Sequence, residues 1–194
     1  MNGIDKEVIS EIEIKKSRFI CILSPITSKE DVEEKLKQIR QDYPFARHYC
    51  YAYILLPEKK CSDDKEPAKT AGQPILNVLE KQQFNNILAI VVRYFGGIKL
   101  GAGGLVRAYT NATNQAIEKA QIYPFVSKTH VKLTFPYELE KTLLKQYPKL
   151  EVIHKTYLEM ITYDGYVDPT DLETLSHLPL QLELLETIDR LKKD

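Results

Sequence analysis

The chain has little that would tie it to a membrane, a secretory route or a metal. None of its 194 residues falls in a continuous apolar run of about 18, so no membrane-spanning helix is expected. No secretory h-region stands at the N-terminus. There are three cysteines, Cys21, Cys50 and Cys61, with no CxxC spacing. A reduced, cytoplasmic setting is therefore expected, with the thiols acting as small apolar groups. Charge of one sign is also missing: Lys and Arg total 27, as do Asp and Glu. A net charge of zero excludes a polycation, so any nucleic-acid binding must come from a local patch. No metal site is expected, because His48, Cys50 and Cys61 supply too few zinc ligands.

Glycine is scarce too, and its distribution is uneven. Five of the eight glycines, Gly96, Gly97, Gly101, Gly103 and Gly104, fall within one short stretch. Before them runs Ile87–Val92, continuously apolar and rich in β-branched residues, as a strand buried on both faces would be. After them Leu105, Ala108, Tyr109, Ala112, Ala116 and Ala120 recur at spacings of three and four. That is the apolar stripe of a helix. The order is thus buried strand, glycine loop, helix. A helix start presents unpaired N–H groups and the positive end of the dipole, so such a loop suits an anion. The charges agree: from Lys81 to Ile117 there is no Asp or Glu, while Lys81, Arg93, Lys99 and Arg107 are present. Helical spacing groups Arg107 with Asn111 and Asn114 on a polar face.

The loop matches no standard nucleotide fingerprint. No Gly-Lys-Ser/Thr follows at Walker A spacing, and the third glycine of a dinucleotide motif would fall on Val106. Tight turning and close helix–strand packing explain the glycines equally well.

The remaining chain reads as follows. Glu7–Lys15 alternates as a half-buried strand, and Arg18–Ile26 is a second strand joined to it by a basic turn, Lys15 to Arg18. Thr27 and Glu30 form a capping box for a helix through Val32, Leu36 and Ile39. His48–Leu56 is a strand with His48, Cys50, Ala52 and Ile54 on one face and Tyr49, Tyr51 and Tyr53 on the other. The His48–Cys50 pair has no evident orienting carboxylate, which weighs against a catalytic thiol. Pro57–Pro74 reads as a polar loop, and Pro74–Phe84 as a helix. Its Asp63, Asp64 and Glu66 have the chemistry of a divalent-cation site, but Lys59, Lys60, Lys65 and Lys69 counter it.

A domain boundary is expected near Phe125, giving domains 1–125 and 126–194. The first carries 18 Lys+Arg against 15 Asp+Glu, the second 9 against 12. Beyond the boundary the pattern is strand, helix, strand, strand, helix, strand, with Thr170 and Glu173 capping the second helix. This is the βαββαβ, ferredoxin-like order.

The string VVRYFGGIKLGAGGLVRAYT, Val91–Thr110, resembles the signature of the IMPACT family, the YigZ-type proteins. KSRF at Lys16–Phe19, ARHYCYAY at Ala46–Tyr53 and SDDKEPAKTAGQP at Ser62–Pro74 fit it as well. The family usually has glycine where Lys65 stands, and a small residue where Lys69 stands. The resemblance implies an α/β (α+β) chain. Its N-terminal domain would be a left-handed β-α-β domain, like a small-subunit ribosomal protein domain, elongation factor G domain IV and the GHMP kinases. Its C-terminal domain would be ferredoxin-like, resembling elongation factor G domain V. General connection rules would instead give right-handed crossovers. Residue patterns place the helices of the first domain on one face of a four-stranded sheet.

Two ribosome-like domains point to an RNA or ribosome partner and a non-enzymatic role bearing on translation, with no catalytic residues and no cofactor. Arg93, Lys99 and Arg107, with the amides of Gly96, Gly97, Gly101, Gly103 and Gly104, would hold phosphates, and Lys16 and Arg18 would extend the patch. Eukaryotic IMPACT proteins are associated with control of an initiation-factor kinase through an added N-terminal domain. That role is not expected to carry over, because the sequence in hand shows no such domain. Two other readings stand beside this one. The first is a nucleotide-binding enzyme on a GHMP-like scaffold, with Mg²⁺ on Asp63, Asp64 or Glu66. The second is a protein-interaction scaffold, with the acidic C-terminal domain as a partner surface.

Overall fold

A computed structural model describes residues 1–192. It separates into two compact units, Met1–Pro124 and Phe125–Lys192. In the first, the strands are β1 (Asn2–Ile4), β2 (Val8–Ile14), β3 (Ser17–Pro25), β4 (His48–Leu55), β5 (Glu58–Ser62) and β6 (Ile87–Tyr94). The helices are α1 (Lys29–Asp42), α2 (Gly72–Lys81) and α3 (Ala102–Lys119). The main sheet is antiparallel, in the order β2-β3-β6-β4-β5.

Strand β6 is the centre of that sheet, and every residue from Ile87 to Arg93 is buried. The unbroken apolar run follows from its position, since both faces are covered. On one face Phe19, Cys21, Cys50, Ala52, Ala89 and Val91 meet α2 and α3. On the other Ile20, Ile22, Tyr49, Tyr53, Ile90 and Val92 meet Val32 and Ile39 of α1. Burying two such aliphatic side chains contributes about 3–6 kcal/mol. Helices therefore cover both faces, not the single face expected. The amphipathic stripe of α1 specifies that it docks, but not on which side.

The sheet also has a fifth strand. Glu58–Ser62 lies in the stretch read as loop and pairs with β4 along Tyr51–Leu55. Its charged sequence, EKKCS, suits an edge. The α1 cap lies one residue later than expected. The Ser28 hydroxyl accepts from the Asp31 N–H, and the Asp31 carboxylate accepts from the Ser28 N–H. Helix α2 begins at Gly72, where a Cβ would stand 2.7 Å from the Ser62 backbone.

Ile122–Phe135 forms one continuous strand, β7, which runs through the position near Phe125 where a domain boundary is expected. Its first three residues pair with β1. Its remainder enters the second unit with α4 (Glu140–Gln146), β8 (Glu151–Tyr157), β9 (Ile161–Val167), α5 (Leu172–Ser176) and β10 (Gln181–Leu191). The order β10-β7-β9-β8, all antiparallel, is the ferredoxin-like arrangement of a βαββαβ chain. Its core is Val131, Leu133, Phe135, Leu143, Ile161, Tyr163 and Leu175. The expected Thr170–Glu173 cap is replaced by Asp168, which accepts from the Thr170 N–H ahead of α5. Among the described residues no helix is long and apolar enough to cross a membrane.

Candidate functional site

The C-terminal end of β6, the start of β4 and the loop after β5 converge on the N-terminus of α3. They line an open cavity of about 460 Å³, formed among others by Arg47, His48, Lys65, Glu66, Arg93 and Lys99, with Gly101 and Ala102 of the helix start. The volume lies in the range of small-ligand pockets. Strand register sets its floor. His48 and Arg93 are direct cross-strand partners, as are Phe19 and Arg93. All three project to the side covered by α3.

Arg93 is not a surface cation. Its side chain is 6% exposed, and Nη1 donates to Glu66 Oε1 at 2.5 Å. Glu66 Oε1 also accepts from the Tyr109 hydroxyl at 2.9 Å. The His48 Nε2 lies 3.8 Å from the same oxygen, and Nδ1 lies 2.8 Å from the Asp64 carbonyl. A carbonyl only accepts, so Nδ1 carries the proton and Nε2 faces Glu66. The Arg93 Nε is buried and has no hydrogen-bond partner among the described residues. Burial, with Cys50 and Glu66 nearby, pushes the Tyr109 hydroxyl far up. Burial also pushes the Cys50 thiol well up, and its Sγ donates to the Asp63 carbonyl at 3.0 Å. A thiol so disposed is not a nucleophile at neutral pH.

The loop carboxylates are spoken for individually. Asp63 accepts from the N–H groups of Lys69, Ala71 and Gly72 at 2.8, 3.0 and 2.8 Å, closing the start of α2. Asp64 accepts from the Tyr49 N–H at 2.7 Å. Glu66 turns inward to Arg93. Among the described residues no group of three His, Cys, Asp or Glu is placed to hold a metal ion. The same loop carries backbone strain: Asp64, Lys65 and Lys69 have φ of 38°, 70° and 61°. Glycine takes that conformation without cost, which gives a reason for the small residues of the family motif at the two lysine positions.

The sequence-derived site residues separate into three groups. Arg93, Lys99 and Gly101 line the cavity. Gly101, with φ of 74°, is the N-cap of α3, where no side chain caps the helix and the first turn holds no acidic residue. Gly97, Gly103 and Gly104 lie in the same loop and first turn. Gly96 serves packing, since a Cβ there would stand 2.0 Å from the Lys16 carbonyl group. Lys16 is thereby held beside the loop and stays exposed. Arg18 is engaged elsewhere, in a two-point bond to Glu11 at 2.7 and 3.1 Å. Arg107 is exposed on α3 and does not line the cavity.

Residue patterns did not single out Arg47, Phe45 or Phe95, and they offered Glu66 only as a cation ligand beside Asp63 and Asp64, not as the partner of Arg93. The Arg47 guanidinium lies 5.5 Å from the centre of the Phe95 ring, which is 40% exposed at the mouth. Phe45, two residues before Arg47, is 98% exposed. A second concavity of about 360 Å³ runs between α2 and α3 and includes Lys69, Gln73, Asn77, Lys81, Thr110 and Asn114. The Lys65–Lys69 segment contributes to both concavities.

Comparison with known proteins gives a consistent set. The Impact N-terminal domain description matches residues 15–117. The IMPACT family member YvyE of Bacillus subtilis (strain 168) is 35% identical over 179 residues, 89% of this chain and 82% of YvyE. The IMPACT family member YigZ of Escherichia coli (strain K12) is 45% identical over 112 residues, 55% of each chain. A solved structure described as a crystal structure of an hypothetical protein superposes with a TM-score of 0.65. It shares 31% identity and covers 95% of this chain and 97% of its own.

Proposed function

This chain belongs to the IMPACT family, and we propose that it is a non-enzymatic protein that binds RNA or the ribosome through the concave surface at the start of α3 and bears on translation. One observation carries the reading. Three cations with no acidic partner among the described residues, Arg47, Lys65 and Lys99, surround the open N-terminus of an eighteen-residue helix whose first turn has no acidic residue. Helix dipole and side-chain charge reinforce each other there. The second concavity adds Lys69 and Lys81 with amide side chains, so cationic and amide groups extend along α3 from one concavity to the other. Exposed Phe45 and Phe95 supply faces on which unpaired bases stack. Phosphate contacts of this kind fix position and read no sequence.

A non-enzymatic role is supported by the state of the reactive groups. The Cys50 thiol is pushed up, and Asp63, Asp64 and Glu66 are held in separate bonds. The magnesium-dependent kinase-like alternative would need those carboxylates together.

The test is binding of single-stranded RNA and of ribosomes across a salt series, wild type against Arg47→Ala/Lys99→Ala. Losing two phosphate contacts should flatten the salt slope by about 1.4, at about 0.7 per contact on a single strand. Absence of binding at low salt, or an unchanged slope in the variant, sinks the proposal.

A further inference from the structure

The groups that form the cavity call for more than a passing phosphodiester. We infer that it is a receptor for a strand-terminal phosphomonoester, the end of an RNA chain with its last nucleotide seated at Phe95. The inference rests on the RNA-binding reading above and narrows it.

Charge comes first. Glu66 balances Arg93 on the floor, and Arg47, Lys65 and Lys99 remain, a surplus of three positive charges around one cavity. An internal phosphodiester brings one negative charge. A terminal monoester brings nearly two, with three acceptor oxygens in place of two. Hydrogen-bond supply matches the larger demand. The first helical bond of α3 runs from the Leu105 N–H to the Gly101 carbonyl, so the N–H groups of Ala102, Gly103 and Gly104 end the helix without helical acceptors. Open space lies where a Gly103 side chain would project, so an anion can approach the main chain there. Independently, the floor holds Arg93, 6% exposed, paired with Glu66 and packed against the Phe19 and Phe95 rings; its Nε has no hydrogen-bond partner among the described residues. Buried guanidinium donors are seldom left without an acceptor.

A phosphate that meets the recessed Arg93 trails one chain segment if it is terminal and two if it is a diester. At the rim Phe95 is partly exposed, with Arg47 and Arg93 both against its ring, so a base entering behind its phosphate meets the stacked Arg47 guanidinium and the exposed part of the ring.

The experiment compares one short oligouridylate in three forms, 5′-phosphorylated, 3′-phosphorylated and with hydroxyls at both ends, by fluorescence anisotropy on the full chain. Uridine 5′-monophosphate is added as competitor. Two variants are measured beside the wild type. Lys99→Ala removes an exposed cation. Ala102→Asp places a carboxylate in the exposed first turn of α3, where it suits the helix dipole and so leaves folding intact while repelling phosphate. The expected result is that one phosphorylated form binds about tenfold tighter than the hydroxyl form, the difference one charge-assisted contact set provides. Both variants should erase that preference, with Ala102→Asp melting no lower than wild type. Competition by the free mononucleotide at a matching concentration would assign the pocket to nucleotide phosphates in general, still as a monoester receptor. Equal binding of all three oligonucleotides overturns the inference and leaves the RNA-binding proposal standing. If no oligonucleotide binds but the mononucleotide raises the melting temperature, the RNA reading falls and the monoester site survives. If neither binds, both fall.

Discussion

Replacing Arg93 with methionine removes the positive half of a buried pair and leaves Glu66, 3% exposed, as an uncompensated carboxylate. Coulomb's law gives the scale. Charge centres about 4 Å apart interact by about 4 kcal/mol at an effective dielectric constant of about 20. Breaking a buried pair by removing one partner costs about 3–5 kcal/mol, which agrees. The Tyr109 hydroxyl remains as a donor to Glu66 and keeps the loss toward the lower end. Unfolding of the unit Met1–Pro124 carries an entropy of about 0.26 kcal/mol/K at about 2.1 cal/mol/K per residue. The melting temperature of that unit should therefore fall by about 10–20 °C. Glu66→Met should cost a similar amount, since it strands the arginine. The double variant Arg93→Met/Glu66→Met removes both charges and fills the space with apolar side chains, so it should recover most of the loss. Calorimetry on the four proteins closes the cycle: with single losses of about 3 kcal/mol each and a double loss of about 1 kcal/mol, a coupling energy of about 5 kcal/mol is expected. Two mild single variants, or a double variant as damaged as the sum of the singles, would refute a charge pair in the cavity floor.

Lys65→Gly relieves a left-handed residue, φ 70°, at a gain of about 1–2 kcal/mol, against about 0.4–1 kcal/mol for the freer unfolded chain. Urea denaturation should show a stability gain of about 0–1.6 kcal/mol, while RNA affinity drops with the loss of a cavity cation. A drop in both would mean that the lysine side chain anchors the loop. Asp31 accepts from the Thr27 N–H at 2.6 Å, the Thr27 hydroxyl at 2.9 Å and the Ser28 N–H at 3.0 Å, and the Thr27 backbone bond leads in holding its carboxyl below the usual range. A depressed folded pKa means that the stabilisation is present above the unfolded value, near about 4, and is lost as pH falls through the lower folded value. Asp31→Ala should thus cost about 1 kcal/mol at neutral pH. The gap from wild type should close in acid, and a gap that persists there would argue against charge as its source.

Arg93 also marks where reading residues in order stops being enough. Counted as a charge in an acid-free stretch, it belongs to a surface patch. Counted by strand alternation, it shares a face with Ile87, Ala89 and Val91, the face that α2 and α3 cover. The second count was available from the sequence and places the guanidinium inside, where an acid must meet it. Which acid was not available, because Glu66 stands 27 residues away, among Asp63 and Asp64, in a segment with no periodicity. Those three carboxylates look alike in sequence, yet one closes a helix, one binds a strand N–H and one enters the core. The central strand, the glycine loop and the βαββαβ order were legible because each is a local pattern of apolar spacing or backbone freedom. Strand β5 was not, because an edge pairs through its backbone and carries charged side chains by design against further pairing. The same distinction governs the site. With Arg93 neutralised and Arg18 tied to Glu11, the field at the start of α3 comes from Arg47 and Lys65, brought in by a strand start and a strained loop, together with Lys99 of the glycine loop itself.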